Sequence, residues 1–380
     1  MVPASTLLGV FMSDTGLYIH IPFCKSKCNY CNFFSVCHHE IDYDTYTAQM
    51  LGLIDKYAER HQNRSIDTVY FGGGTPSVIG TKRLCRILSE IKSAFNVIDN
   101  AEITFEANPT SSDLLDFSRL YQAGFNRISF GLQSADQNEL SVLGRQHTAE
   151  EAKAVIETAK EAGFRNISID IMLAIPYQTE ESLLRTISFC YECGVQHISA
   201  YILKIEEGTP FDKMRDRLEL IDEDSQALLY EFTVRELERR GYHQYEISNF
   251  AKNGFESRHN LHYWHDEEYI GLGPSAHSFI DGERYYYSNS FEDFYNDKTV
   301  FESQGGDREE YIMLALRLRE GLIFQKYEER FKEKIVDQIL KRASSLLKEN
   351  YIELDEKSLR LTVKGFLVSN LIIGYLLNNT

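Results

Sequence analysis

Three cysteines carry the most legible chemistry in this chain. They lie in YIHIPFCKSKCNYC, residues 18–31, as Cys24, Cys28 and Cys31 in a C-x3-C-x2-C spacing. A closed zinc site takes four ligands, and an ordinary iron–sulfur cluster takes four cysteine thiolates. Three thiolates leave one iron of a [4Fe-4S] cluster open to a substrate or cofactor. On spacing alone two plainer readings stay open: buried structural thiols, or a zinc site borrowing a fourth ligand from Cys37, His38 or His39.

Further along stands FGGGTPS, Phe71 to Ser77. Consecutive glycines let backbone approach a ligand and expose its N–H and C=O groups. Neither the Gly-Lys-Ser/Thr of a phosphate loop nor G-x-G-x-x-G is present, and alone the run is no more than a sharp turn. Five further polar candidates follow: Glu106 in FEANP, Gln133 in SFGLQS, Arg145 with His147 in LGRQH, and Asp170 in SIDIMLAIP. Any one of them is more often a surface polar group or a helix cap. Their recurrence in successive units argues for a shared site.

The elements that must position these residues alternate. β-rich runs at 17–21, 68–71, 102–106, 127–130, 166–172 and 197–203 are separated by helical patterns at 43–60, 82–95, 112–123, 149–162 and 180–193. Such alternation predicts an α/β fold with a parallel sheet, here a partial (βα)6 barrel. "AGF" recurs at Ala123–Phe125 and Ala162–Phe164, with glycine where a left-handed helix end belongs. In parallel α/β folds chemistry gathers at the C-terminal strand edges, where every motif above falls.

The chain has 380 residues, 43% of them hydrophobic, enough for a large core and more than one domain. Its net charge of −17 disfavours nucleic acid and anionic lipid as partners. Seven cysteines, three already clustered, do not make an extracellular disulfide framework, so the expected compartment is the reducing cytoplasm. No run reaches the roughly eighteen apolar residues of a membrane span. Residues 1–15 read as a loose leader or an over-called start before Met12.

Taken together, the motifs resemble the coproporphyrinogen III oxidase-like branch of the radical SAM superfamily, and within it the heme-chaperone group, over residues 16–380. The resemblance implies that Cys24, Cys28 and Cys31 hold a [4Fe-4S] cluster. It also implies that Tyr18, Tyr30, Gly73, Gly74, Thr75, Glu106, Gln133, Arg145 and Asp170 contact S-adenosylmethionine, which one electron cleaves to a 5′-deoxyadenosyl radical. Two departures separate this chain from the oxidase. Phe33 stands where the oxidase has a fourth cysteine, and only 23 residues precede Cys24. Both fit the heme-chaperone pattern, whose partners are heme and a heme-acceptor protein, with membrane contact only through that acceptor. Ala174 in LAIP replaces the family's usual glycine. Radical decarboxylation of coproporphyrinogen III, or radical chemistry on another substrate, remains the alternative.

Residues 16–242 are expected to form the barrel, 243–306 a connector, and 307–380 a C-terminal domain. The connector concentrates His243, His259, His262, His265 and His277, the single tryptophan Trp264, and Tyr285 to Tyr287. Imidazole is a common axial ligand for heme iron and flat aromatics suit a porphyrin face. RHNLHYW resembles a segment associated with heme binding in the chaperone group, which makes His259 the candidate ligand; the alternative is that these residues simply pack the rim. No C-x-x-C-H is present for covalent attachment. The last segment reads as helices, among them a long one over 327–350, plus a two-stranded wing near Asp355–Glu356, resembling a winged helix. With no basic stripe it reads as a lid or docking module, not a DNA reader.

Overall fold

Residues 14–37 and 42–378 are described by a computed structural model. Residues 1–13 of the expected leader, and the alternative ligands His38 and His39, lie outside the described residues. Asp14 and Thr15, assigned to that leader, instead open the first strand.

The six expected βα units are present. In chain order they run β1 (Asp14–Ile21), α1 (Tyr43–Arg60), β2 (Ser65–Gly73), α2 (Gly80–Ala94), β3 (Asn96–Ala107), α3 (Phe117–Ala123), β4 (Arg127–Gln133), α4 (Gln137–Leu143), α5 (Ala149–Glu161), β5 (Asn166–Leu173), α6 (Glu180–Glu192) and β6 (His197–Ile202). Each neighbouring strand pair is parallel. Apolar residues such as Leu17, Ile19, Val69, Phe71, Ile128 and Ile169 point from the sheet into its helix layer and are fully buried. The alternate positions, Tyr18, Tyr70, Glu106 and Asp170, face the barrel interior. Strand periodicity of two thus separates core from site.

Local chemistry moves some boundaries. The helix expected over 112–123 is a 3-10 turn (Pro109–Leu114) followed by α3, because Asp116 caps a new start by accepting the Arg119 N–H at 2.9 Å. Helix α4 went unread although Asp136 caps it and Gly144, left-handed at φ 74°, ends it. The two "AGF" glycines do sit in the left-handed region, at φ 108° and 114°.

The larger correction concerns 243–306. After α7 (Pro210–Lys213) and α8 (Glu223–Glu238), this stretch enlarges the sheet instead of merely connecting domains. It contributes β7 (His243–Gln244), β8 (Asn249–Ala251), α9 (Arg258–Trp264), β9 (Tyr269–Leu272), β10 (His277–Ile280), β11 (Glu283–Tyr287), α10 (Phe291–Tyr295) and β12 (Thr299–Gln304). β9 adds parallel to β1 on the side away from β2, and the sheet order becomes β12-β11-β10-β9-β1-β2-β3-β4-β5-β6-β8-β7. Its short runs were too brief to announce themselves as strands.

The C-terminal segment holds α11 (Arg308–Ala315), β13 (Leu322–Ile323), α12 (Phe324–Phe331), α13 (Asp337–Leu346), β14 (Ile352–Leu354), β15 (Ser358–Leu361), α14 (Val363–Leu367) and α15 (Ser369–Leu377). The strand pair lies at the expected turn, and β13 completes a three-stranded wing. The single helix expected over 327–350 is broken where Lys332 turns left-handed at φ 57°. Among the described residues no helix is long and apolar enough to cross a membrane.

Candidate functional site

The cysteine loop is tied at both ends. β1 delivers Phe23, whose ring packs edge-on against Tyr43 at 4.8 Å and Tyr46 at 5.1 Å. The Tyr46 hydroxyl donates to the His20 carbonyl at 2.6 Å. Val36 N–H donates to Pro22 O at 2.8 Å and Cys24 N–H to Val36 O at 3.0 Å, closing the loop on itself. Its middle is held by Asn29, whose amide side chain donates to the Val142 carbonyl of α4 and whose own carbonyl accepts the Phe211 N–H of α7. The result is three free, half-buried thiols on a braced loop at the C-terminal end of β1.

The glycine run packs against the cysteine loop. A Cβ on Gly73 would meet the His20 ring at 2.6 Å, and one on Gly74 would meet the Phe23 carbonyl oxygen at 2.7 Å. Gly74 N–H donates to Ile21 O and Thr75 N–H to Phe23 O, while Gly73 N–H serves Glu106. The close approach is therefore by the chain's own cysteine loop. The run also brings the Thr75 hydroxyl to 3.5 Å from Cys24 Sγ.

Around the interior the polar candidates converge. Arg145 directs Nη1 to Cys28 Sγ at 3.3 Å and Nη2 to the Gly131 carbonyl. A side chain at position 131 would collide with Arg145 and crowd Gln133, so glycine there gives both their space. Gln133 itself is left-handed, φ 71°, at the strand end. Ser129 donates to Asp170 at 3.1 Å, and Tyr70 to Glu106 at 2.8 Å. Burial, then the nearby Asp170 charge, pushes the Glu106 carboxyl up to about 7; burial also raises Asp170. Burial raises the Tyr30 phenol as well, beside Arg145 and Cys28. Tyr18 lies over Tyr70 with ring centroids 6.2 Å apart.

Several contributors went unread. His20 bridges the Tyr18 hydroxyl at 3.0 Å and the Phe34 carbonyl at 3.1 Å, and burial drives its pKa down to about 4, so it is a neutral strut under the loop. Tyr70 was findable, since it stands opposite Tyr18 and two residues before Gly72. Arg127, 2% exposed, supplies positive charge beneath the carboxylates, and no sequence motif marks it.

These residues fit the group their spacing suggests. Three thiols share one loop with one side open to the barrel, and a buried Arg145 Nε has no partner beside them. Among the described residues no three His, Cys, Asp or Glu groups converge on a single ion, whereas a cubane takes one thiolate per iron.

The histidine-rich helix lies elsewhere. α9 fills the N-terminal end of the barrel, opposite the cysteine loop. Glu102 accepts the backbone N–H of Arg258 at 3.3 Å and of His259 at 3.2 Å, while Asp67 takes Arg258 and His262. His259 is 1% exposed, with Nδ1 on Thr68 Oγ1 and Nε2 on Tyr263 Oη, both at 2.9 Å. Both ring nitrogens of the expected heme ligand His259 are thus hydrogen-bonded. The helix does not pack the rim.

Comparison with known proteins follows this geometry. Residues 18–190 match the radical SAM superfamily and residues 307–368 the HemN C-terminal domain. A Lactococcus lactis protein named heme chaperone HemW is 34% identical over 367 residues, 93% of this chain and 94% of its own length. The chain belongs to the HemW family. A Bacillus subtilis HemW is 32% identical over 94% of this chain and 97% of its own. The solved Escherichia coli coproporphyrinogen III oxidase, HemN, shares the fold, with a TM-score of 0.83 at 21% identity over 97% of this chain and 91% of its own. HemW membership, within the radical SAM superfamily, implies a [4Fe-4S] cluster and S-adenosylmethionine.

Proposed function

We propose that this chain is a cytoplasmic heme carrier that holds a [4Fe-4S] cluster and S-adenosylmethionine and passes heme to an acceptor protein. Cys24, Cys28 and Cys31 hold the cluster. Tyr18, Tyr30, Thr75, Glu106, Gln133, Arg145 and Asp170 form the wall for S-adenosylmethionine, with Gly73 and Gly74 shaping it. When bound, the cluster supplies one-electron reducing power and an open iron. The chain's own residues do the rest: Arg145 places positive charge beside Cys28, Glu106 offers a carboxylate for ribose hydroxyls, and Tyr18 and Tyr70 line the floor beneath.

The observation that carries the choice of carrier over oxidase is Phe33. It stands on the cysteine loop, 66% exposed, where the oxidase has a further cysteine. The full-length similarity to proteins named heme chaperone supports the same reading. The C-terminal wing is a lid or partner-docking module.

The test is anaerobic. With the cluster reconstituted, S-adenosylmethionine and reductant are added with coproporphyrinogen III in one sample and heme in another. Stable heme uptake without decarboxylation is expected; protoporphyrinogen formation would make the chain an oxidase despite Phe33.

A further inference from the structure

Helix α9 closes the barrel without an apolar core of its own. Its only buried side chains are His259 and His262, and none of its residues joins the hydrophobic core. Cavities of about 690, 600, 450 and 300 Å³ abut it at His262, Arg258, Tyr263 and His265. What holds it is polar: Glu102 on the Arg258 and His259 N–H groups, Asp67 on Arg258 and His262, and Thr68 on His259. The His259 ring also stacks on Tyr70 at 5.1 Å. Hydrogen bonds can be exchanged for water or another polar partner at small net cost, whereas buried apolar area cannot. The chain is anchored on both sides of the helix, by Lys252 N–H on the Gln196 carbonyl at 2.9 Å and by Asp266 on Arg284 and Arg330. Between these anchors Gly254 turns left-handed at φ 82°, with open space around it.

Beneath the helix lies a cation with no acceptor. Arg127 is 2% exposed, its Nε is buried without a partner, and its guanidinium forms no hydrogen bond or ion pair with any described residue. A buried guanidinium in that state carries its full desolvation cost. Of the charges that act on it the Glu102 carboxylate is the strongest. Glu102 stands two residues before Thr104, the register partner of Arg127 on the neighbouring strand. The other interior carboxyls are engaged elsewhere, Asp170 with Ser129 and Glu106 with Tyr70. Glu102 has both oxygens on α9.

We infer that α9 is a displaceable plug: on its release Glu102 passes from the helix N–H groups to the Arg127 guanidinium, and His259 is uncovered. The new charge-assisted pair offsets bonds that the helix gives up, because Arg127 gains the acceptor it lacks in the closed form. The inference rests on the heme-carrier reading only for what the plug controls, the access of heme to the His259 imidazole.

Hydrogen exchange on the full-length, cluster-loaded chain tests the plug without heme. The α9 amides are expected to exchange through a local opening, insensitive to low denaturant and at least about a hundredfold faster than the amides of β2 and β4. Equal protection and equal denaturant dependence in α9, β2 and β4 overturn the plug. Arg127→Met removes the destination of Glu102 and is expected to slow α9 exchange at least about tenfold. A guanidinium that only steadies the closed form would give faster exchange instead, and that result or an unchanged rate overturns the transfer. If Arg127→Met does not fold, Gly16→Ala places a Cβ 3.3 Å from the His259 ring and must speed α9 exchange; an unchanged rate overturns the plug. Heme uptake is then followed separately and is expected to be slower in Arg127→Met. Equal uptake rates overturn the plug's control of heme. An unaltered chain that opens α9 but takes up no heme supports the plug and overturns the carrier reading.

Discussion

Arg145 Nη1 lies 3.3 Å from Cys28 Sγ, joining residues 117 positions apart across the strand ends. The guanidinium holds that sulfur by one hydrogen bond, and its unpartnered Nε is left for another acceptor. Replacing Arg145 with methionine should therefore weaken S-adenosylmethionine binding about tenfold or more, the loss of one charge-assisted hydrogen bond. Equilibrium binding to the reconstituted protein measures it; unchanged affinity would remove Arg145 from the cofactor wall.

Each loop thiol should be indispensable for iron. Alanine at Cys24, Cys28 or Cys31 should abolish most reconstituted iron and visible absorbance, while alanine at Cys85, in α2, should not. Iron and sulfide analysis decides between this and a structural role for the three thiols.

Glu106 links cofactor affinity to pH. Its carboxyl is raised to about 7 by burial and by Asp170. On the reading that Glu106 receives the ribose hydroxyls, the ionised carboxylate accepts from both more strongly than the protonated acid, so S-adenosylmethionine affinity should rise from pH 6 to pH 8. The stability sign is opposite. The unfolded chain loses this proton near the ordinary glutamate value, so folding stability falls as pH rises from there through about 7. Glu106→Gln should flatten the affinity profile and raise the melting temperature of the cofactor-free protein at pH 8 but not at pH 5. A pH dependence that survives the substitution would assign it elsewhere.

His262 contributes in the alkaline direction. Burial opposes its charge, but Asp67 at 2.8 Å and Glu267 at 3.0 Å outweigh it and lift its pKa to about 9. A raised histidine contributes stability that is complete below its unfolded value near 6.5 and is lost as pH passes about 9. Thermal melts between pH 6 and pH 10 should show a fall that is shallower in His262→Gln. Equal slopes would mean that the α9 plug is not held by this charge.

Ala174 occupies the left-handed region at φ 60°, with its N–H on Gln178 Oε1 at 2.7 Å. The Cβ there costs energy that glycine avoids, partly offset by glycine's greater freedom when unfolded. Ala174→Gly should stabilise the chain by about 0.5–1 kcal/mol, readable in denaturant unfolding. Destabilisation would show that the methyl, 5% exposed, packs usefully.

Two kinds of information divide this molecule. The cysteine spacing, the glycine run, the capped helices and the period-two strands are local, set by residues within a turn or two of one another. The sequence by itself therefore determined the βα order, the thiol loop and the strand-end carboxylates. Where the local signals were weak, at β7 to β12 and at the breaks near Asp116 and Lys332, boundaries were misread. What only the tertiary structure decided depends on pairs far apart in the chain. Thr68 and His259 are 191 positions apart and meet because β9 adds to β1 and carries α9 under the barrel. A histidine in an aromatic stretch reads the same whether buried or free. Burial and the occupancy of its two nitrogens separate His259 from His277, and both are set by which elements pack together.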